Sequence, residues 1–457
     1  MMTIHKLFFF AALLLAATAY AKPERPTTAI DMKNCVTAEC HVKVKDYKVV
    51  HGPVNVNACD ACHKVADVQK HTFTLTREKS QVCTFCHKVD TGNAKVVHKP
   101  VATGDCLPCH DPHGGKTAKF IRGGTTRDMC LTCHTDYKDK LKRKHLHGPV
   151  AAGACESCHV SHAGEHKNLL VANGKELCMT CHKEMGDQLK KAKVAHRPVV
   201  DGECSQCHES HASNFAMQTK APPAELCTSC HAHEKIKTVA TTAKHKHSVV
   251  MKDQACMTCH TAHGATIAKL MKDEPVDVCL KCHNVPVKTP DGRQVAAVSE
   301  VKNPKLNKHG PVKDGSCNGC HNVHGADVTR LLTKEYPETF YAKYNQDNFA
   351  MCFTCHDKKL VEAKDAEGLT GFRDGTRNLH FVHVNKERGR TCRACHDTHA
   401  SGNPLHLRDT VPFGQWQMPI GFKKSDTGGS CAPGCHKEFS YDRKAATSQP
   451  ATTEKKP

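Results

Sequence analysis

The sequence predicts a modular repeat array, mostly irregular with short helical turns, and without a core made from its own side chains. Three observations carry that expectation. Apolar residues are only 39 % and aromatics 5 % of 457, too few to offset ordering entropy by side-chain burial alone. Cysteine and histidine are abundant instead, at 30 and 36 residues. The cysteines also recur as near-identical phrases at a regular period.

The elements follow in chain order. Lys6, the apolar run Leu7 to Ala17 and the small-x-small signal Ala19-Tyr20-Ala21 read as a secretory signal peptide over 1–21, with the mature chain starting near Lys22. The run is too short to span a bilayer, and no later segment approaches about 18 consecutive apolar residues, so the protein is expected to be exported and to carry no transmembrane segment. No cysteine lies in the leader, which argues against a lipid anchor. The remaining divisions are an N-terminal segment over 22–50, five compact repeats over 51–308, two extended repeats over 309–442, and a tail over 443–457 rich in Ala, Thr, Ser, Pro and Lys that reads as disordered.

Exported cysteines usually pair as disulfides, but here the spacing points elsewhere. Thirteen phrases read Cys-x-x-Cys-His, the c-type haem attachment motif. They are Cys59/Cys62/His63, Cys83/Cys86/His87, Cys106/Cys109/His110, Cys130/Cys133/His134, Cys155/Cys158/His159, Cys178/Cys181/His182 and Cys204/Cys207/His208. The rest are Cys227/Cys230/His231, Cys256/Cys259/His260, Cys279/Cys282/His283, Cys317/Cys320/His321, Cys352/Cys355/His356 and Cys392/Cys395/His396. Two looser versions, Cys35-x4-Cys40-His41 and Cys431-x3-Cys435-His436, use the remaining four cysteines. Two thioether bonds from one turn of chain pin the edge of a porphyrin, and the next residue brings its imidazole to the iron as proximal ligand. Zinc ribbons also use paired cysteines but do not require His after every second one. The reading is therefore about fifteen covalently attached haems c.

The first cysteine of every second motif falls at 59, 106, 155, 204, 256, 317 and 392, in steps of 47, 49, 49, 52, 61 and 75 residues. Each repeat carries two motifs and opens on a histidine: His51, His98, His147, His196, His247, His309 and His383. Five of these begin a His-x-Pro-Val phrase; Ser248-Val249 and Val384-Asn385 depart from it. Repeats two to seven add a second histidine after the first motif, Cys-x-x-Cys-His-x-x-His, at His113, His162, His211, His263, His324 and His399. Repeat one lacks that residue and offers His71. Six further histidines, His145, His166, His233, His245, His380 and His406, lie outside these phrases. About five of the six are expected as solvated surface residues. The total suffices to give every iron two axial imidazoles. Residues three apart share one face of a helical turn, whereas the two ligands of one iron approach from opposite faces. His110 and His113 should therefore serve different irons, and the second histidine should reach a neighbouring haem.

The formal charge of +19 would ordinarily suggest nucleic acid. Two propionates per haem change that arithmetic to about +3 oxidised and about −12 reduced for a mature fifteen-haem chain. The basic residues read as internal neutralisation, nucleic-acid binding is not expected, and reduction should be coupled to proton or counter-ion uptake. The last two repeats are stretched, and residues 336–441 hold 13 of the 19 aromatics outside the leader, Trp416 included. A larger globular end is the first explanation; a docking or electron-exit surface is the second. A longer helical piece is a further expectation around Phe340 to Phe349.

The phrase His-x-Pro-Val … Cys-x-x-Cys-His-x-x-His … Leu-Cys-x-x-Cys-His, best matched by His147 to His182 and His309 to His356, resembles the doubled-CXXCH multihaem c-type cytochromes. These include the periplasmic pentahaem partner of nitrite reductase and decahaem conduits held in outer-membrane porins. The resemblance covers about residues 51–436. It implies an elongated haem wire with little or no sheet. Its irons would be mostly bis-His, with the motif histidines proximal and the His-x-Pro-Val and His-x-x-His residues distal. It implies a periplasmic relay of single electrons in bacterial (anaerobic) respiration, associated with the outer membrane or reaching the cell exterior. The partners implied are redox proteins: an inner-membrane quinol-linked donor, a periplasmic or outer-membrane acceptor, and an outer-membrane porin. Two competing readings are a multihaem reductase with one open iron acting on a small oxyanion or nitrogen oxide, and a self-assembling filament subunit.

Overall fold

A proline two residues beyond an extended histidine sets the recurring local structure. His51 has φ −63° and ψ 140°, the backbone preferred just before a helix start. Pro53 then occupies the first turn, where a missing N–H costs nothing, and a one-turn helix runs Gly52–Asn55. The same piece recurs at Lys99–Ala102, Gly148–Ala151, Arg197–Val200 and Gly310–Lys313. Repeat five lacks the proline and forms a 3-10 turn, Ser248–Met251, in its place. This computed structural model describes residues 35–36, 40–231, 236, 242–251, 255–289, 292–366 and 368–445. The leader over 1–21, most of the tail over 443–457, and His233 lie outside the described residues.

Helices stay short; the longest described, Lys183–Lys191 and Pro275–His283, have nine residues. Such lengths are marginal in water without tertiary support. Strands are mostly two-residue ladders, and these join consecutive repeats. Val49–Val50 pairs antiparallel with Gly114–Gly115, Val96–Val97 with Ala163–Gly164, and His145–Leu146 with Ala212–Ser213. Val194–Ala195 pairs with Gly264–Ala265, His245–Lys246 with Gly325–Ala326, and Asn307–Lys308 with Ala400–Ser401. Each ladder lies just before the opening histidine of one repeat and just after the second histidine of the next. The residue after that second histidine is always Gly or Ala (Gly114, Ala163, Ala212, Gly264, Gly325, Ala400). A Cβ on Gly114 would stand 2.6 Å from the Val49 carbonyl oxygen, so only a small side chain fits against the partner backbone.

A second closure follows every first motif from repeat two onward. Single antiparallel bridges link His110 to Ile121, His159 to Leu170, His208 to Thr219, His260 to Met271, His321 to Leu332 and His396 to Leu407. The loops inside five of them turn through two consecutive left-handed residues, Asn168–Leu169, Met217–Gln218, Lys269–Leu270, Arg330–Leu331 and Leu405–His406.

The chain divides into two compact units. One comprises the residues up to Leu177 together with Ser210–Ser213; the other comprises Cys178–Glu209 and everything from Asn214 onward. In neither is there a conventional core before residue 336: the buried apolar side chains described there are Ala212, Ala243, Ala265, Val278 and Ala326. The aromatic C-terminal end is different. Tyr336, Phe349, Val361 and Val384 form one cluster, and Val411, Met418 and Ile420 form another, with Phe340 and Phe422 against it. Larger antiparallel pieces appear here, a Thr410–Phe413/Trp416–Pro419 hairpin and a three-stranded sheet of Lys423–Lys424, Gly428–Cys431 and Phe439–Asp442. The stretch from Phe340 to Phe349 is not one helix. Tyr341–Ala342 is a strand paired with Gly389–Arg390, and only Asp347–Phe349 turns, as a 3-10 helix.

Candidate haem sites

The short turns at the motifs bring thirteen of the fifteen motif histidines against another imidazole. In the first compact unit the ring centroids of His41 and His71 are 6.4 Å apart, His51 and His87 5.7 Å, and His63 and His113 6.4 Å. His98 and His134 are 6.3 Å apart, His110 and His162 6.1 Å, and His159 and His211 6.1 Å. The second unit repeats the geometry. His196 faces His231 and His208 faces His263, both at 6.0 Å; His247 faces His283 at 6.1 Å and His260 faces His324 at 6.3 Å. His309 faces His356 at 6.0 Å, His321 faces His399 at 6.4 Å, and His380 faces His396 at 6.4 Å.

These separations test the fit of a metal between the rings. A metal–imidazole bond of about 2 Å on each side, plus about 1.1 Å from each nitrogen to its ring centre, puts two centroids about 6.3 Å apart. The observed values cluster there, well beyond the separation of rings in face-to-face contact. The pairing follows two rules. An opening histidine faces the second-motif histidine of its own repeat, as His51 faces His87. A His-x-x-His second residue faces the first-motif histidine one repeat back, as His113 faces His63. The departures Ser248-Val249 and Val384-Asn385 do not displace the first rule. His247 faces His283, and His383 lies close enough to His436 for that ring to influence its titration. His147 keeps the shared backbone position: its amide donates to the His211 carbonyl and its Nδ1 lies 3.0 Å from Ser210 O. His182 begins the helix Lys183–Lys191.

Backbone carbonyls orient these rings. Nδ1 of His51 lies 2.8 Å from Pro112 O; those of His98 and His196 lie 3.0 Å from Ser161 O and Ala262 O, and that of His247 lies 2.9 Å from Val323 O. On the other side, Nδ1 of His110 meets Lys119 O at 2.7 Å. His159, His208, His260, His321 and His396 meet Asn168, Met217, Lys269, Arg330 and Leu405 carbonyls, each at 2.9 Å. Those last five acceptors are the first left-handed residues of the loops above. Carbonyls can only accept, so Nδ1 carries the proton and Nε2 is left bare as the ligating atom. Burial also disfavours the charged imidazolium. It lowers the pKa of His162, His247, His263, His283, His324 and His399, and takes His380 and His383 to about 4. Neutral imidazole is the form that binds metal.

Among the described residues the cysteines are thiols with no disulfide, and most lie beside those of adjacent motifs. Cys83 contacts Cys106 and Cys130 contacts Cys155, while Cys62 neighbours Cys86 and Cys109 neighbours Cys133. In the second unit Cys227 contacts Cys256, Cys279 contacts Cys317, and Cys352 contacts Cys392. Cys207 neighbours Cys230, Cys259 neighbours Cys282, Cys320 neighbours Cys355, and Cys395 neighbours both Cys431 and Cys435. First cysteines meet between repeats; second cysteines meet within them. Hydrogen bonds from Cys227 and Cys279 lower the Cys256 and Cys317 thiols to about 6.

The division between the units falls within repeat three, at Leu177/Cys178, so its two second cysteines, Cys158 and Cys181, belong to different units. Each cysteine still ends a haem-type turn of its own. The Cys158 amide donates to Cys155 O at 3.2 Å, and its carbonyl accepts the Val171 amide at 2.9 Å. The Cys181 amide donates to Cys178 O at 3.3 Å, and Thr180 Oγ1 donates to its exposed thiol at 3.8 Å. Attachment at Cys158 and Cys181 rests on the motif and its local turn.

One residue in this geometry belonged to none of the sequence phrases. His380 stands in the helix Leu379–Val384, half-buried, facing His396. Its signal was present: His380-x-x-His383 repeats the His-x-x-His spacing away from any Cys motif.

Comparison with known families places a doubled CXXCH motif at residues 51–92, 98–139, 147–187, 196–236, 247–288 and 309–360, more than half of the chain. The fold and the paired sites are those of a multihaem c-type cytochrome. The chain belongs to the doubled CXXCH motif family, and its six matched doublets imply covalently bound haem c at about twelve sites. No curated protein matches the sequence. Among the described residues, no helix is long and apolar enough to cross a membrane.

Proposed function

We propose that the chain relays single electrons along a file of about fifteen haems c, each iron held between two histidines, in an exported respiratory pathway. The order of the attachment cysteines is the observation that carries this reading. In the first unit neighbouring cysteines link the motifs at 59, 83, 106, 130 and 155, and in the second those at 204, 227, 256, 279, 317, 352, 392 and 431, always in sequence order. A haem tied at both cysteines of one motif then has its edges against the haems of the motifs before and after it. Short edge-to-edge steps are what electron hopping requires. The facing imidazoles favour transfer over reduction of an oxyanion or nitrogen oxide, because a reducing haem needs an open position on its iron. The leader-like segment makes the periplasm the setting, with a quinol-linked donor and an outer-membrane acceptor or porin as the partner classes. Bound haem supplies one-electron chemistry; the chain's residues hold its edge, fix both axial imidazoles and shield it from water.

His324→Met tests the relay. His324 faces His260, whose motif has described neighbours on both sides. Thioether ligation favours ferrous iron, and a rise on the order of 0.2 V would hold the electron about three decades more tightly. Redox titration should show one haem shifted and the total electrons accepted unchanged, while rapid-mixing transfer between separate donor and acceptor slows. A shifted haem with unchanged throughput would mean a branched cluster. Intact mass should show fifteen haem increments on a chain beginning near Lys22; thirteen would remove Cys35/Cys40 and Cys431/Cys435 from the haem set.

A further inference from the structure

Six first-motif histidines obey one rule. His63, His110, His159, His208, His260 and His321 each face the second histidine of the His-x-x-His phrase in the following repeat. His396, the first-motif histidine of repeat seven, is faced by no such residue: no His-x-x-His phrase of a further repeat lies in residues 400–457. An imidazole nevertheless faces it at the same separation, 6.4 Å, with the planes 18° apart. That ring is His380, from upstream in the same repeat.

The helix that carries it is firmly placed. Asn378 is fully buried. Its Oδ1 accepts the amides of His380 and Phe381 at 3.0 and 3.4 Å, and its Nδ2 donates to the carbonyls of Leu360 and Ala363 at 3.0 and 2.7 Å. The side chain therefore caps one helix and ties it to the end of Lys359–Glu362. Thr370 Oγ1 lies 3.3 Å from His380 Nδ1, and Phe372 stands edge-on to the ring at 5.1 Å. One turn later His383 hydrogen-bonds through Nδ1 to Leu379 O at 2.7 Å and neighbours His436. A single helical turn thus directs one imidazole toward each of the last two motifs.

We propose that His380 is the axial ligand closing the haem of Cys392 and Cys395, so that this site is completed from within its own repeat. The inference rests on the bis-His haem reading above. The first motif is closed in an equivalent way: His41 faces His71 at 6.4 Å, and His71 sits at the turn between strands His63–Asp67 and Thr72–Leu75 instead of in a His-x-x-His phrase. In both places a histidine outside the His-x-x-His phrases takes the position facing a first-motif or N-terminal motif histidine, so neither of these two irons requires a ligand from a second copy.

The full-length, haem-loaded protein tests this with His380→Ala and His380→Met. Expected for His380→Ala is an unchanged haem count by intact mass and conversion of one ferric haem from low to high spin. Electron paramagnetic resonance and the high-spin charge-transfer band would report it, in protein that stays monomeric by light scattering, and added imidazole should reverse it. His380→Met should remain fully six-coordinate with one haem raised in potential, and serves if the alanine variant does not mature. An all-low-spin His380→Ala variant, or a His380→Met variant with no shifted haem, overturns the assignment. So does a wild-type high-spin haem that becomes low-spin only as concentration rises, because its ligand would then come from another copy. A wild-type mass lacking the haem at Cys392 and Cys395 overturns the haem reading itself and is distinguished by the mass alone.

Discussion

Met217 shows how a single residue holds a ligand in place. Its φ is 56°, a left-handed conformation costing an ordinary L-residue about 1–2 kcal/mol, and its carbonyl receives the His208 Nδ1 hydrogen at 2.9 Å. The side chain is 83 % exposed, so the position is selected for its backbone. Strain of this kind persists where the surroundings fix it, here through the His208–Thr219 bridge. Substituting Met217→Gly should stabilise the oxidised protein, while β-branched Met217→Val should destabilise it by about 1–2 kcal/mol. Thermal unfolding followed at the haem absorption band would report both, and equal midpoints for the two variants would disprove the strain argument. Asn168 occupies the equivalent position in repeat three; its short polar side chain tolerates the conformation better, so Asn168→Gly should change less.

At the scale of elements, the C-terminal hairpin and the helix Leu379–Val384 each complete an atypical site. Trp416 packs over Gly434 so closely that a Cβ there would overlap its ring. The Cys435 thiol also lies 3.3 Å from Met418 Sδ on the same hairpin. Gly434→Ala should therefore displace the hairpin from the Cys431–Cys435 turn, and intact mass should show a mixed population lacking one haem increment. Uniform full loading would mean that the hairpin yields without consequence. The helix makes a pH prediction. Burial lowers His380 and His383 from an ordinary value near 6.5 to about 4. The unfolded state then binds more protons between those values, so their contribution is complete above about pH 6.5 and is lost as pH falls toward 4. In haem-free chain, acid titration should therefore weaken the protection of the C-terminal end from proteolysis within that window; protection that stays constant from pH 6.5 to 4 would contradict the burial of the two rings.

For the whole molecule, the sparse core has a direct consequence. Before residue 336 the buried apolar side chains described are four alanines and one valine, far less area than folding needs at about 25 cal/mol per Å². Covalent haem must bring the rest. Chain exported without haem maturation should give a disordered far-UV circular dichroism spectrum and rapid proteolysis of the first five repeats, with residual protection confined to the Tyr336–Tyr441 end where two side-chain clusters form. A cooperative thermal transition in the haem-free chain would refute this. Those clusters also account for much of the aromatic enrichment at that end: Tyr336 and Phe349 are buried, although Phe413, Trp416 and Phe439 remain about half exposed.

The attachment chemistry was legible in the chain because it is local. Cys-x-x-Cys-His needs one turn of backbone, so spacing alone identifies both the anchor and the adjacent imidazole. The repeat period was legible for the same reason, and the His-x-x-His spacing already excluded one iron for both residues, because two rings on one face cannot approach a metal from opposite sides. Which distant ring each histidine meets was not local. That His113 meets His63 and not His41 is fixed by the Val49–Val50/Gly114–Gly115 ladder, a contact between segments more than sixty residues apart. His380 illustrates the limit most sharply. Its His-x-x-His spacing to His383 stands apart from any cysteine motif, and only the Asn378 cap and the packing of Leu379–Val384 against Lys359–Glu362 turn it toward His396. The sequence by itself determined the attachment phrases and their order; tertiary structure decided the partners across each site, because ring pairing depends on long-range backbone register that no local spacing encodes.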